Sequence, residues 1–210
     1  MIRVFIADDH AMVRMGMRQV LREIGGFEVV GEASNGREVL SSPLLDACDV
    51  LVLDLSMPRV EGTEVLRRLH ARRPELPIVV HSMYPEEQFA KRSVAAGAVA
   101  YVSKDSAPQA LVDAVRRAAT TPRYELMREV QEQPAREGEA KHDQLTQREH
   151  QVFVRLIAGA SVAEIAAELD VHSCTVSNHY AKIRTKLGVH SVAELVRYAY
   201  AEGFLLDEPR

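Results

Sequence analysis

The chain of 210 residues has only two cysteines, Cys48 and Cys174, which lie far apart in the sequence. Two distant cysteines indicate neither a disulfide framework nor a cysteine-based zinc site. The chain also lacks an uninterrupted apolar run of roughly 18 residues, the length that a membrane-spanning helix needs. Its first residues, 1–6, form too short an apolar start for a signal peptide. We therefore expect a cytoplasmic protein with no membrane partner.

An excess of positive charge is missing as well. The chain has 26 Lys and Arg against 30 Asp and Glu, and its formal net charge is −4. Lys and Arg stay below Asp and Glu in each of the regions 1–121, 122–143 and 144–210. Any contact with nucleic acid must therefore come from a local cluster of side chains, because no region supplies a broad positive field.

The first 121 residues alternate strand-like runs with amphipathic helical stretches. The strand-like runs are RVFIA, FEVVGEA, DVLVLD, PIVVHS and AVAYVSK. Several of them are almost wholly apolar, which is typical of strands that are buried on both faces. Five β-α repeats predict an α/β domain, namely a five-stranded, doubly wound parallel sheet with helices on both sides.

Residues 122–143 lose this alternation and are rich in Pro, Gly, Glu and Gln. The composition predicts a linker, with a short helix over 124–132 that Pro134 ends. Residues 144–210 return to helical periodicity and predict a second, all-α domain of four helices. Three of these helices begin with the pattern of a capping box, a hydroxyl followed three residues later by Glu. The pairs are Thr146 with Glu149, Ser161 with Glu164, and Ser191 with Glu194.

Polar side chains follow four of the predicted strands. Asp8 and Asp9 come after the first, Asp54 ends the third, Ser82 ends the fourth and Lys104 follows the fifth. Ligands of open parallel sheets bind at the carboxyl ends of the strands, where these five residues converge. Three carboxylates there would repel one another, so a divalent cation is their natural complement. Hard oxygen ligands favour Mg²⁺ or Mn²⁺.

The same set of residues suits phosphoryl transfer to an aspartate. Asp54 can be the nucleophile, and Lys104 and a metal ion can neutralise the charge on the phosphoryl oxygens. The hydroxyl of Ser82 can donate a hydrogen bond to one of those oxygens.

Residues 1–121 resemble a response-regulator receiver domain. The resemblance rests on the Asp8–Asp9 pair, on Asp54 in DLSMP with Gly62 after it, on Ser82, and on Tyr101 three residues before Lys104. It implies that Asp54 accepts a phosphoryl group from a sensor histidine kinase. It also implies that Ser82 and Tyr101 form a coupled switch.

The metal ligands follow from the same resemblance. Asp9, Asp54 and the backbone carbonyl of Ser56 would bind Mg²⁺, and Asp8 would help through a water molecule. For His10, which directly follows the acidic pair, we expect a solvent-facing or helix-capping place and no bond to the metal.

A stretch of the C-terminal region, LDVHSCTVSNHYAKIRTKLG, predicts a helix with two different faces. One face is suited to packing and consists of Val176, Tyr180, Ile183 and Leu187. Elsewhere on the helix lie Ser177, Asn178, Ala181, Lys182 and Thr185. The preceding helix, SVAEIAAEL, is joined to it by a turn, as a helix-turn-helix requires.

This region resembles a LuxR-type DNA-binding domain, and the whole chain resembles a NarL/FixJ-family response regulator. The matching segments are LTQRE, SVAEIAAEL, the pair Thr175–Val176, His179 and KLGVHS. The resemblance implies that Ser177, Asn178 and Ala181 enter the major groove of double-stranded promoter DNA, and Thr175 belongs to the same set of expected DNA contacts. Lys182 and Lys186 would supply phosphate contacts. Asn178 suits adenine, which predicts A/T-containing half-sites about one helical turn apart for a symmetric dimer.

The resemblance implies a phosphorylation-controlled transcription factor that forms a homodimer and is not an enzyme, with RNA polymerase as a further candidate partner. Two other interpretations stay open at this point. One is a Mg²⁺-dependent phosphohydrolase with an aspartyl nucleophile, which turnover of a small phosphate ester would reveal. The other is a C-terminal protein-interaction module without DNA binding of its own, which a mobility-shift titration with the promoter region would distinguish.

Overall fold

The computed structural model describes residues 1–57, 60, 62–84, 86–123, 125–126 and 141–202. The chain divides into two compact units, residues 1–135 and 136–210. Most of the predicted linker lies outside the described residues, including all of its predicted helix over 124–132 except residues 125 and 126. Among the described helices, none is both long enough and apolar enough to span a membrane.

The first unit contains the predicted parallel sheet. Its five strands are β1 (Ile2–Ala7), β2 (Phe27–Ala33), β3 (Val50–Leu53), β4 (Ile78–Ser82) and β5 (Ala100–Ser103). Every pairing is parallel, and the order across the sheet is β2-β1-β3-β4-β5. The order reverses at β1, so the crevice at the carboxyl ends of β1 and β3 is the place where such sheets bind ligands. The predicted fold class is confirmed.

Helices cover both faces of the sheet. They are α1 (Ala11–Ile24), α2 (Gly36–Ser41), α3 (Gly62–Arg72), α4 (Glu86–Ala95) and α5 (Pro108–Thr120). Successive strand residues point to opposite faces, so Val4 packs with α1 and α5 while Phe5 packs with α2, α3 and α4. All four residues of β3 are buried. This explains why the central strand has no polar residue before Asp54.

Two residues of the predicted linker are attached to the first unit. Leu126 is 5% exposed and belongs to the hydrophobic core on the face of the sheet that α1 and α5 cover. Arg123 donates hydrogen bonds to the carbonyl oxygens of Pro74 at 2.7 Å and Gly97 at 2.6 Å. Its Nη2 also lies 3.1 Å from Nδ1 of His70. The start of the linker is therefore fixed near the amino-terminal ends of the strands, opposite their carboxyl ends.

The second unit contains the four predicted helices, α6 (Gln147–Ile157), α7 (Val162–Glu168), α8 (Ser173–Leu187) and α9 (Val192–Ala201). Full capping boxes begin α6 and α7, as predicted. The third predicted capping box, at Ser191 and Glu194, is incomplete. Glu194 accepts a hydrogen bond from the backbone amide of His190 and not from that of Ser191. Ser191 still caps α9 by accepting from the Glu194 amide. Gly188 ends α8 in the left-handed conformation, with φ of 72°.

Candidate functional site

Three carboxylates meet at the carboxyl edge of the sheet. Asp8 and Asp9 follow β1, and Asp54 follows β3. Backbone hydrogen bonds continue past the strand ends: the Asp54 amide donates to the Ala7 carbonyl at 2.8 Å, and the Asp8 amide donates to the Ala33 carbonyl at 3.1 Å. The first bond continues the pairing of β3 with β1 and the second that of β1 with β2, so the predicted convergence of the carboxylates is observed.

The ammonium group of Lys104 lies between two of these carboxylates. Its Nζ is 2.7 Å from Asp8 Oδ2 and 2.8 Å from Asp54 Oδ2. The two carboxylate side chains are only 1% and 0% exposed, respectively. Two buried like charges need a cation between them, and the backbone places it there, because the Lys104 amide donates to the Ser82 carbonyl at 2.8 Å.

The charges of this site shift the pKa values of its members. Burial raises the pKa of Asp54; the charge of Lys104 opposes this rise, and that of Asp8 adds to it. Burial alone would lower the pKa of Lys104, but its contacts with Asp54 and Asp8 outweigh burial and raise it. Lys104 therefore carries its positive charge at neutral pH, where it can face an incoming anion.

The acidic residues form a cluster that could hold a metal ion. Asp8, Asp9, His10 and Asp54 each offer one ligand atom, and these atoms lie within 4.8 Å of one another. The amide of Ser56 donates to Asp54 Oδ1 at 2.9 Å, so the Ser56 backbone lies beside the cluster. The donor set consists mainly of carboxylate oxygens, which suits a hard divalent cation.

His10 takes the solvent-facing place, one of the two that were expected for it. Its side chain is 64% exposed, and Nδ1 lies 2.8 Å from Asp9 Oδ1. Although it precedes the first residue of α1, its side chain makes no capping hydrogen bond. The ring therefore belongs to the edge of the acidic cluster, a place that the sequence pattern did not predict.

Ser82 and Tyr101, the predicted switch pair, both contact the backbone of Tyr84. The Tyr101 hydroxyl donates to the Tyr84 carbonyl at 2.9 Å, and Ser82 Oγ accepts from the Tyr84 amide at 3.4 Å. Both side chains are buried, and burial raises the pKa of the Tyr101 hydroxyl. The Tyr84 ring stacks on Phe89 with 4.8 Å between the ring centroids. The Tyr101 ring thus already lies inward in this structure.

Arg14 is a site residue that sequence reasoning missed. Its guanidinium donates to the backbone carbonyl of Asp8 at 2.6 Å and pairs with Glu32 at 3.1 Å. It ties the loop that bears the acidic pair to β2. The sequence offers no signal for this contact, because Glu32 lies 18 residues away along the chain.

In the second unit, α7 and α8 form a helix-turn-helix. The turn between them contains Asp170 with φ of 52°, a left-handed conformation that Asp tolerates better than most residues. Val176, Ile183 and Leu187 of α8 are buried, as predicted. The opposite side of the helix is exposed at Ser177, Asn178, Ala181, Lys182 and Thr185, while Thr175 is partly buried.

Lys186 is not placed like the other predicted DNA-contact residues. Its Nζ lies 2.5 Å from Glu149 Oε2 and donates to the Gln144 carbonyl at 2.9 Å. Glu149 is buried and also accepts from the Thr146 amide at 2.7 Å. Burial alone would raise the pKa of Glu149, but the hydrogen bonds from Lys186 and Thr146 hold it below its usual value. Lys186 therefore has an ionic partner inside its own unit.

Comparison with known proteins agrees with both units. Residues 4–116 match the family described as response regulator receiver domain, and residues 143–199 match bacterial regulatory proteins of the luxR family. The response regulator UvrY of Escherichia coli K12 is 32% identical over 209 residues, covering 97% of this chain and 95% of that protein. The transcriptional activator protein ExaE of Pseudomonas putida is 34% identical over 208 residues, covering 96% of this chain and 97% of that protein.

Among solved structures, RcsB from Salmonella enterica serovar Typhimurium is similar along most of the chain. That structure holds RcsB bound to the promoter P1flhDC in the presence of the phosphomimetic BeF3−. The TM-score is 0.63 at 27% sequence identity, and the match covers 95% of this chain and 98% of RcsB. The chain therefore belongs to the response-regulator family, as a DNA-binding two-component regulator of the NarL/FixJ type with a receiver domain and a LuxR-type helix-turn-helix domain.

Proposed function

We propose that Asp54 accepts a phosphoryl group from a sensor histidine kinase and that this modification controls promoter binding by the second unit. The observation that carries the proposal is the shared ammonium group of Lys104, at 2.7 Å from Asp8 and 2.8 Å from Asp54. A buried carboxylate beside a fixed cation, at the ligand-binding edge of a parallel sheet, has the surroundings that a phosphoryl acceptor needs.

The transfer is a single displacement at phosphorus. One carboxylate oxygen of Asp54 forms a bond to phosphorus as the bond from phosphorus to the imidazole nitrogen of the kinase breaks. The electron pair of the broken bond stays on that imidazole. Lys104 stabilises the charge on the phosphoryl oxygens, and the Ser82 hydroxyl donates a hydrogen bond to one of them.

The acidic cluster would hold Mg²⁺ through Asp9, Asp54 and the backbone carbonyl of Ser56, with Asp8 acting through a water molecule. The ligand atoms of the cluster, all within 4.8 Å of one another, support this assignment. When bound, Mg²⁺ neutralises charge on the phosphoryl oxygens. Phosphorylation should therefore stop when a chelator removes divalent cations.

Intact-mass measurement tests the acceptor. The full chain is incubated with Mg²⁺ and acetyl phosphate or phosphoramidate, and we expect one phosphoryl group per chain. Asp54→Asn should gain none, whereas the control Asp113→Asn, at an exposed position on α5, should behave like the wild type. A phosphoryl group on Asp54→Asn would show that the acceptor is wrongly assigned.

Phosphorylation would favour a homodimer by drawing Ser82 toward the phosphoryl group. The hydrogen bond from Tyr101 to the Tyr84 carbonyl supports a change centred on Ser82 and the Tyr84 backbone, since the Tyr101 ring is already buried. A shift from 1:99 to 99:1 would need about 5.5 kcal/mol of differential interaction, so we expect a partial shift. An unchanged monomer-dimer constant in sedimentation with beryllofluoride would contradict this mechanism.

In the second unit, α8 would enter the major groove. Asn178 can bond two atoms of one adenine, Ser177 and Thr175 lie beside it, and Lys182 would contact phosphate. The exposure of Ser177, Asn178 and Lys182 supports these roles. We do not include Lys186 among the phosphate contacts, because its ammonium group is paired with Glu149.

Asn178→Ala tests base reading. It should relax the preference at one base pair by about 1–3 kcal/mol while affinity for scrambled DNA stays nearly the same. Lys182→Met is the comparison variant and should weaken all sequences alike. Equal loss by Asn178→Ala on specific and scrambled DNA would exclude a base-reading role.

Residues 1–121 would act as the receiver, 122–143 as the linker and 144–210 as the DNA-binding domain, with RNA polymerase as a further partner at the promoter. The protein would work in the cytoplasm, where its kinase and its DNA are accessible. The attachment of Arg123 and Leu126 to the first unit supports a linker whose first residues pack on the receiver.

One observation favours a second candidate function. With Lys186 paired to Glu149, Lys182 is the one lysine of α8 that is exposed, which would suit a module that binds protein and has lost independent DNA binding. Absence of any shift in a mobility-shift titration with promoter DNA, with and without beryllofluoride, would favour this candidate.

Phosphohydrolase activity is the other alternative. Turnover of a small phosphate ester tests it, and we expect no turnover.

A further inference from the structure

The peptide bond between Asp8 and Asp9 lies just beyond the paired part of the sheet. Pairing of β1 ends at Ala7, which lies opposite Ala33 of β2 and Leu53 of β3. The Asp8 amide still continues the pairing, since it donates to the Ala33 carbonyl at 3.1 Å. The Asp8 carbonyl belongs to the next peptide unit, and the orientation of that planar unit sets the direction in which the chain enters Asp9.

Of the two aspartates, Asp9 is the one that side-chain contacts hold less firmly. Both oxygens of the Asp8 carboxylate are engaged. Oδ1 accepts from the His10 amide at 2.8 Å, and Oδ2 lies 2.7 Å from the ammonium group of Lys104. The side chain of Asp9 is 27% exposed, and its neighbour at 2.8 Å, the His10 ring, is itself 64% exposed. The position of the Asp9 carboxylate therefore depends on its backbone more than that of Asp8 does.

Arg14 holds the Asp8 carbonyl from α1. Its Nη1 donates to that carbonyl at 2.6 Å, while its Nε donates to Glu32 Oε2 at 3.1 Å. The guanidinium is planar, so two donors that are bound at once fix the direction of the whole group. The side chain of Arg14 is only 17% exposed. Because Glu32 is the penultimate residue of β2, Arg14 connects the loop after β1 both to α1 and to the neighbouring strand.

Arg18 shares Glu32 with Arg14 but does not contact the loop. Its Nη1 lies 2.5 Å from Glu32 Oε1, and its side chain is 51% exposed. It lies one turn further along α1, and in the described part of the chain its hydrogen bond goes to Glu32 and not to Asp8. Comparison of the two arginines therefore separates the charge that both bring to this place from the carbonyl contact that Arg14 makes.

We propose that Arg14 is a positioning residue of the metal site. By binding Glu32 and the Asp8 carbonyl at once, it fixes the peptide between Asp8 and Asp9 and thereby aims the Asp9 carboxylate at the cation. This rests on the proposed function, in which Asp9 binds Mg²⁺. Groups that orient metal ligands from behind typically contribute about 10- to 100-fold to metal affinity. Since Arg14 acts through the backbone, we expect a loss near the lower limit, about tenfold, in Arg14→Met.

Charge and position make opposite predictions for Arg14→Met. The variant removes a positive charge from the neighbourhood of the acidic cluster, and this alone would strengthen the binding of a cation. Loss of the carbonyl contact frees the backbone that leads into Asp9 and weakens binding. The sign of the change in Mg²⁺ affinity therefore identifies the effect that dominates.

A Mg²⁺ titration of the full-length, ¹⁵N-labelled chain at constant ionic strength measures this affinity from the amide shifts of Asp9, His10 and Ser56. Arg14→Met should bind Mg²⁺ about tenfold more weakly than the wild type. The matched control, Arg18→Met, loses only an exposed ion pair and should stay within about twofold of the wild type. Arg14→Lys keeps the charge, but one ammonium group does not replace the planar fork, so its binding should also be weaker.

Phosphorylation by acetyl phosphate supplies a second measurement. The Mg²⁺ concentration that gives half the maximal rate should rise about tenfold in Arg14→Met, whereas the rate at saturating Mg²⁺ should match the wild type. A residue that only stabilises the fold would lower the melting temperature of the Mg²⁺-free chain and leave this concentration unchanged, which would contradict the proposal.

Three results of the titration would overturn the proposal. They are unchanged or tighter Mg²⁺ binding by Arg14→Met, wild-type binding by Arg14→Lys, and an equal loss in Arg14→Met and Arg18→Met, which would assign the effect to Glu32. Arg14→Lys decides the question if Arg14→Met does not fold. A wild-type chain without a saturable response to Mg²⁺ would be a different failure, because it would overturn the metal site of the proposed function itself, and the role of Arg14 with it.

Discussion

Replacement of Lys186 by methionine separates a structural role from a DNA-contacting role. Methionine keeps a long apolar side chain and removes the charge. In the structure, the ammonium group lies 2.5 Å from Glu149 Oε2, with the side chains of Glu149 and Lys186 3% and 30% exposed. The wild-type lysine thus neutralises a buried carboxylate, which the variant would leave with only the hydrogen bonds of the helix cap.

The loss should be intermediate between two limits. Exposed ion pairs contribute about 0–1 kcal/mol, and removal of one partner from a fully buried pair costs about 3–5 kcal/mol. Since Lys186 is partly exposed, we expect the second unit to lose about 1–3 kcal/mol. For a unit of this size, each kcal/mol lowers the melting temperature by about 4–8 °C. Calorimetry of the full chain, with hydrogen exchange of the α8 amides, measures this loss.

The pH dependence gives an independent check. The pKa of Glu149 is lower in the folded chain than its usual value, so its contribution to stability is complete above the unfolded pKa of about 4.3. The contribution is lost as the pH falls through the folded pKa. The difference in stability between wild type and Lys186→Met should therefore be full at pH 7 and shrink below about pH 4.

DNA binding provides the contrasting result. A lost phosphate contact flattens the dependence of log K on log salt by about 0.9, and we expect this for Lys182→Met but not for Lys186→Met. An unchanged melting temperature together with a flattened slope for Lys186→Met would refute the structural role and restore the phosphate contact.

Three further predictions concern the first unit and the two thiols of the chain. Gly62→Ala should destabilise the chain by more than about 1 kcal/mol and slow phosphorylation, because the new Cβ would lie 2.4 Å from the Leu55 backbone. The control is Gly16→Ala, which should be neutral or stabilising in thermal unfolding. Arg123→Met should speed hydrogen exchange at the start of the linker, because it removes the bonds to the Pro74 and Gly97 carbonyls. An Ellman titration at pH 8 should find one reactive thiol, the exposed Cys174, because burial raises the pKa of Cys48 to about 11.

Each of these predictions has a clear contrary result. Wild-type stability and phosphorylation of Gly62→Ala would show that the loop after Asp54 can move away from α3. Unchanged exchange in Arg123→Met would mean that Leu126 alone holds the linker. Two reactive thiols in the native chain would show that Cys48 is accessible.

Local patterns in the sequence determined the kinds of elements and the position of the acidic pocket. The apolar run before Asp54 is short and is bounded by acidic residues, which indicates a strand buried on both faces, and parallel strands bring their carboxyl ends to one edge. Asp8, Asp54 and Lys104 could therefore be assigned to one site without coordinates. The capping boxes of α6 and α7 were equally predictable, because their hydrogen bonds join residues only three positions apart.

The tertiary structure alone decided which distant side chains meet. Glu149 and Lys186 are separated by 37 residues, and only the packing of α6 against α8 turns a capping residue and a predicted phosphate contact into an ion pair. The contact of Arg14 with the Asp8 carbonyl and the anchoring of Arg123 have the same origin. Periodicity fixes which face of a helix is buried, but the partner of each polar side chain depends on how the faces are brought together, and that is a property of the folded chain as a whole.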